Sequence, residues 1–99
     1  MNLLRKDVKA SDVVAEVIRM LEDDPLTNAG VGSNCCRDGS IECDASLMDG
    51  STLNWAGVGA VPEIKNPILV PKLLIQQQLE ENKFGLISPN LLVGLKAAR

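Results

Sequence analysis

The side chains able to do chemistry gather in the first half of this sequence, and one absence limits them at once: among its 99 residues there is no histidine. Imidazole-based triads and dyads are therefore excluded, and so is any His-containing zinc site. Three cysteines are present, Cys35, Cys36 and Cys43. Two are adjacent and none falls in a Cys-x-x-Cys spacing, so they read as reduced thiols rather than zinc ligands or a disulfide framework. The acidic series Asp38, Glu42, Asp44 and Asp49 fails as a calcium loop, which needs glycine at its sixth position; counted from Asp44, that position is Asp49. No metal and no cofactor is expected. Gly30-Val31-Gly32 and Gly57-Val58-Gly59 begin like a dinucleotide fingerprint, but Cys35 and Pro62 stand where its third glycine belongs, and neither lies at a strand-to-helix junction.

Two candidates survive. One is the loop carrying Asn28, Ala29, Gly30, Gly32 and Ser33, whose composition permits positive φ and a tight backbone path. Its bare reading is local, with Asn28 closing an Asx-turn after Pro25. The other is Asp44, a carboxylate inside an alternating segment between Cys43 and Ala45. Burial there is costly unless donors satisfy it, so it reads as a structural carboxylate before a catalytic one.

The elements that must hold these residues follow from periodicity. Ser11 can cap a helix starting at Asp12, with Val13, Val14, Val17, Ile18 and Leu21 on its apolar face and Glu16, Arg19 and Glu22 facing away. Pro25 ends it. Residues 25–39 have loop chemistry. Ile41, Cys43, Ala45 and Leu47 then alternate with polar residues as in a half-buried strand, and Asp49-Gly50 marks a turn into a second strand of small residues. The pair reads as an antiparallel β-hairpin with a bare surface. Asn66-Pro67 reads as an N-cap followed by the first helical residue, and Ile68, Leu69, Leu73, Leu74 and Leu79 supply a helix face running to about Glu81. Residues 82–89 read as a loop, and the final ten are ambiguous between strand and helix.

Length and composition bound the rest. A chain of 99 residues is at most one domain and buries only about 60 to 65% of its unfolded surface. Trp55 and Phe84 are its only aromatic residues, so the core must be aliphatic. A net charge of -3 with dispersed basic residues argues against direct binding to nucleic acid. The start lacks the apolar core of a secretory signal and no stretch approaches a membrane span, so an intracellular protein that engages no membrane is expected.

Taken together, "LEDDPLTNAGVGSN", "GSIECDASLMDGSTLNWAGVGAV" and "IKNPILVPKLL" resemble the α-subunit region of the threonine aspartases (taspases), a branch of the asparaginase-like N-terminal nucleophile hydrolases. The wider family shares the Asn-Ala-Gly loop, the Asp-Ala strand, the Met-Asp-Gly turn and the Asn-Pro helix start. Gly32-Ser33-Asn34, Glu42-Cys43-Asp44-Ala45-Ser46 and Leu53-Asn54 point to the aspartase branch. The resemblance implies an α+β fold, part of an αββα sandwich, here two helices plus the hairpin as one incomplete domain over residues 1–99.

It also implies a mechanism without histidine, in which a precursor cleaves itself before a threonine whose freed α-amine serves as base for its own hydroxyl. Asn28 would lie near that threonine. Neither Thr27, after Leu26, nor Thr52, after Ser51, matches the family's nucleophile, so the chain alone is expected to be inactive. The β-subunit half would be its partner. Substrates of the branch are nuclear regulatory proteins cut after aspartate, which places the chain in cytoplasm or nucleus, although the family's basic nuclear-targeting linker has no counterpart here. Two alternatives stand beside this reading. One is a nonenzymatic, dominant-negative module that binds itself or the full-length enzyme; the other is a portion of an asparaginase or isoaspartyl peptidase.

Overall fold

A computed structural model describes residues 9–80 and 87–94. Helix α1 spans Ala10–Glu22, strands β1 and β2 span Cys43–Met48 and Trp55–Val61, helix α2 spans Leu69–Gln78, and strand β3 spans Leu91–Val93. The fold is α+β. One sheet runs in the order β1-β2-β3, with β1 antiparallel and β3 parallel to the central β2. The hairpin is therefore as expected, and part of the ambiguous C-terminal segment resolves as a strand. Its final residues, 95–99, lie outside the described residues, as do residues 1–8 and 81–86, the latter covering the expected helix end at Glu81 and most of the expected 82–89 loop.

Helix boundaries differ from the sequence reading. Helix α1 starts at Ala10, and Ser11 lies inside its first turn without capping anything. Helix α2 begins two residues after Pro67 and ends at Gln78 rather than near Glu81. Residues 66–70 approach it through tight turns, with Leu69 N–H donating to Asn66 O and Val70 N–H to Pro67 O, both at 3.1 Å. Pro71 is tolerated near the helix start because an N–H there has no intrahelical partner to lose.

The core is aliphatic and gathers where both helices meet the hairpin: Ala15, Leu47, Ala56, Ile68, Leu74 and Ile75. Small residues on β2 let α2 approach closely, as Ala56 is fully buried. The expected faces are only partly used. Val13 and Ala15 are buried on α1 whereas Val14 and Leu21 are exposed, and Leu69 and Leu73 on α2 and Leu79 just after it are exposed as well. Along β1 the alternation holds, with Leu47 buried and Asp44, Ser46 and Met48 exposed, although pairing starts at Cys43 rather than Ile41.

Candidate functional site

The loop after α1 is built by short-range hydrogen bonds that follow from its sequence. Asp24 Oδ1 accepts from Leu26 N–H at 2.9 Å, so the Asx-turn spanning Pro25 belongs to Asp24 and not to Asn28. The Thr27 hydroxyl donates to Leu21 O at the end of α1, meeting one of the carbonyls every helix terminus leaves open. Asn28 has a longer reach: its Oδ1 accepts from Asn34 N–H at 2.8 Å and draws the two ends of the loop together. Its amide NH2 makes no hydrogen bond among the described residues.

Between those ends, Gly30–Gly32 forms a single 3-10 turn. Gly30 has φ +51, and a Cβ added to it would sit 2.4 Å from Glu22 O. At Gly32 a Cβ would sit 2.0 Å from Thr27 O. Both glycines are therefore demanded by backbone packed against backbone, one of them also by its left-handed conformation. Ser33 Oγ lies 3.3 Å from Cys43 Sγ, joining the loop to the first residue of β1. Thus the structure brings Asn28, Ala29, Gly30, Gly32 and Ser33 into one compact turn.

Asp44 stands apart from that turn. Successive strand residues point to opposite faces, so Cys43 meets Ser33 while Asp44 projects the other way, exposed. Its Oδ1 accepts from Ala60 N–H at 2.8 Å, where the β1–β2 register slips between Cys43 and Ala45. The extra residue lies on β2, and Ala60 takes a left-handed φ of +51. Such a bulge leaves an N–H without a ladder partner, and the Asp44 carboxylate supplies one. Burial, the ground on which the sequence singled out Asp44, plays no part.

Sequence reasoning missed Glu22. Assigned to the solvent side of α1, it is buried at 3% exposure. Its Oε2 accepts from Ile68 N–H at 3.1 Å, just before α2, and its Oε1 accepts from the Asn66 amide at 3.4 Å. Asn66, read as a local N-cap, instead donates across to α1 and also reaches Asp23 Oδ1 at 3.0 Å. Burial pushes the Glu22 carboxyl above its ordinary range, against the two hydrogen bonds that favour ionisation. One signal was available, since Ala15, Ile18 and Glu22 share a helical stripe.

The three thiols are free. Cys36 donates to Glu42 Oε1 at 3.3 Å, and that hydrogen bond to a carboxylate, chief among several influences, pushes the thiol up and away from the reactive thiolate. Both threonine hydroxyls are occupied in turns, Thr52 donating to Asp49 Oδ2 at 3.2 Å. The described residues thus offer amide donors and a shaped loop, whereas the thiol and hydroxyl that meet carboxylates, Cys36 with Glu42 and Thr52 with Asp49, sit in turns outside the 28–33 loop.

Residues 1–82 match the protein family described as Asparaginase. The chain is 43% identical over 75 residues to the isoaspartyl peptidase of Escherichia coli, covering 76% of this chain and 23% of that protein. It is 43% identical over 76 residues to the isoaspartyl peptidase/L-asparaginase of Rattus norvegicus, covering 77% and 23%. Against the plant-type L-asparaginase of Pyrococcus furiosus it is 42% identical over 72 residues, covering 73% and 24%. The chain spans just under a quarter of the length of these relatives. Their names place isoaspartyl peptidases and plant-type asparaginases, rather than threonine aspartases, beside it.

Proposed function

This chain belongs to the asparaginase family of N-terminal nucleophile hydrolases, and we propose that it forms the α-half loop and hairpin of an isoaspartyl peptidase or asparaginase. The observation that carries the proposal is the identity of 42 to 43% with proteins bearing those names, within a family match that spans the Asn28 loop, the hairpin and the start of α2.

In this reading the reacting group is a threonine on a complementary half. Its hydroxyl proton passes to its own α-amine as the oxygen attacks the amide carbon; the C–N bond then breaks as the α-ammonium returns that proton to the departing ammonia or amine, and water hydrolyses the acyl ester, freeing the acid and the threonine. Asn28 contributes the two N–H donors left over after its oxygen has closed the loop, directed at the threonine or the bound amide. The exposed Val14, Leu21, Leu73 and Leu79 offer the complementary half an apolar surface, whose removal from water favours association. Without that half the chain is inactive.

A second reading keeps the threonine-aspartase branch, supported by Gly32-Ser33-Asn34 and Glu42-Cys43-Asp44-Ala45-Ser46; its substrates would be proteins cut after aspartate. One experiment separates the two. The 99-residue chain is mixed with a separately produced half that begins with the family's threonine, and three products are followed: ammonia from L-asparagine, aspartate from an isoaspartyl dipeptide, and fragments of a peptide containing internal aspartate. Either of the first two supports the proposal, and the third replaces it with the aspartase reading. A stable complex that hydrolyses none of them overturns both and leaves a binding module.

A further inference from the structure

The candidate loop, the end of α1 and the start of α2 meet at one side chain that the proposed reaction does not use. Glu22 is the last residue of α1 and is buried at 3% exposure. Its two carboxylate oxygens accept from Ile68 N–H and the Asn66 amide, and its own backbone and Cβ form the wall against which Gly30 packs too closely for any side chain. Two residues before Gly30, Asn28 carries an amide NH2 that makes no hydrogen bond among the described residues. A movement of Glu22 therefore moves the loop and the start of α2 together.

We propose that Glu22 is the positioning residue of this site, its carboxylate locking the start of α2 to the end of α1 and so setting where the loop presents Asn28. The inference rests on the hydrolase reading only for the reaction whose rate is measured; the lock itself is a property of this chain.

The surroundings make the lock sensitive to protonation. Arg19 does not neutralise Glu22, because its guanidinium is held by Glu16 and Asp23. Asp23 adds a like charge, while α2 and its approach present only the neutral Asn66 amide and a backbone N–H. Two donors facing two oxygens suit the ionised form, whereas burial together with Asp23 opposes it. The carboxyl's pKa is therefore raised from its ordinary value, and the fully bonded lock forms as pH rises through it.

Two substitutions and two readouts test this. Glu22→Gln preserves shape and one acceptor but cannot ionise, and Glu22→Ala removes the lock. In the 99-residue chain, NMR should show the Gly30 and Ile68 amides shifting together with one midpoint raised from that of an ordinary glutamate, and E22Q should abolish that shared titration. Amides that titrate separately, or a shared titration that survives E22Q, overturn the proposal. In the assembled hydrolase, E22A should lower kcat by about 10- to 100-fold with little change in KM, the cost of a misplaced group. E22Q, with one acceptor for two donors, should fall between the native chain and E22A in kcat and lose the rise with pH that Glu22 imposes. A pH profile unchanged in E22Q overturns the proposal even if E22A is inactive through misfolding. If the native chain yields no hydrolysis with its complementary half, the proposed function fails and the NMR titration alone decides the role of Glu22.

Discussion

Asp44 Oδ1 accepts a hydrogen bond from Ala60 N–H at 2.8 Å across the hairpin, at the point where the strand register slips by one residue. A surface carboxylate thereby closes the one gap in the β1–β2 ladder. The relationship explains why an acidic residue is held in the middle of a strand, where its propensity is poor.

Asp44→Ala should lower stability by about 1 kcal/mol, the net worth of a hydrogen bond whose donor is left to water at an exposed site. Asp44→Asn keeps an acceptor oxygen in place and should recover most of that loss. Urea unfolding of the three proteins checks this, with equal midpoints for Asn and Ala counting against the bracing role.

Ala60 carries the cost of the bulge, because its φ of +51 disfavours any residue with a Cβ by about 1 to 2 kcal/mol. Ala60→Gly should be neutral or slightly stabilising, since relief of that strain offsets the extra freedom glycine has when unfolded. Ala60→Val should be clearly destabilising. Thermal melts that rank valine at or above glycine would contradict the left-handed conformation.

The glycines of the loop should separate from a glycine outside it. Gly30→Ala and Gly32→Ala place a methyl 2.4 and 2.0 Å from backbone oxygen, so each should unseat the loop and cost several kcal/mol, on the order of 3. Gly39→Ala meets nothing within 4 Å and should cost only about 1 kcal/mol for its positive φ. Melting temperatures for the three variants decide the matter, and a Gly39 variant as unstable as the others would sink it.

The hydrogen bond from Cys36 to Glu42 raises the thiol's pKa, so at mildly alkaline pH a smaller fraction is thiolate than without it. Glu42→Gln removes the charge, lowers the pKa and should speed alkylation of Cys36 severalfold. The comparison is made by mass spectrometry of iodoacetamide-treated protein at matched pH, and an unchanged Cys36 rate would show that Glu42 does not govern it.

Much of the scaffold was legible because its signals are local. Alternation from Cys43 to Leu47, the Asp49-Gly50 turn and the helical spacing from Val13 to Leu21 each express a backbone period or a fixed φ that nearby residues dictate, whereas Asn66-Pro67 announced the second helix but not its start at Leu69. The family was legible for a related reason, since its motifs are short strings of turn and small residues. The branch within the family was not: the residues that pointed to the threonine aspartases are scaffold positions, and they carry little information about substrate.

What the sequence by itself determined, then, is the kind of element each segment forms and a loop composition that permits the tight backbone path through Gly30 and Gly32; that both must be glycine follows from the backbone packed against them. Tertiary structure alone decided the partners. Asn66 looked like a cap for its own helix, yet it donates to Asp23 and Glu22 more than 40 positions earlier. Glu22 looked solvated, yet it lies beneath the start of α2. A side chain's donors and acceptors are fixed by its residue type, but which groups satisfy them depends on how separate elements pack; the stripe of Ala15, Ile18 and Glu22 turns Glu22 toward the core without naming its partners.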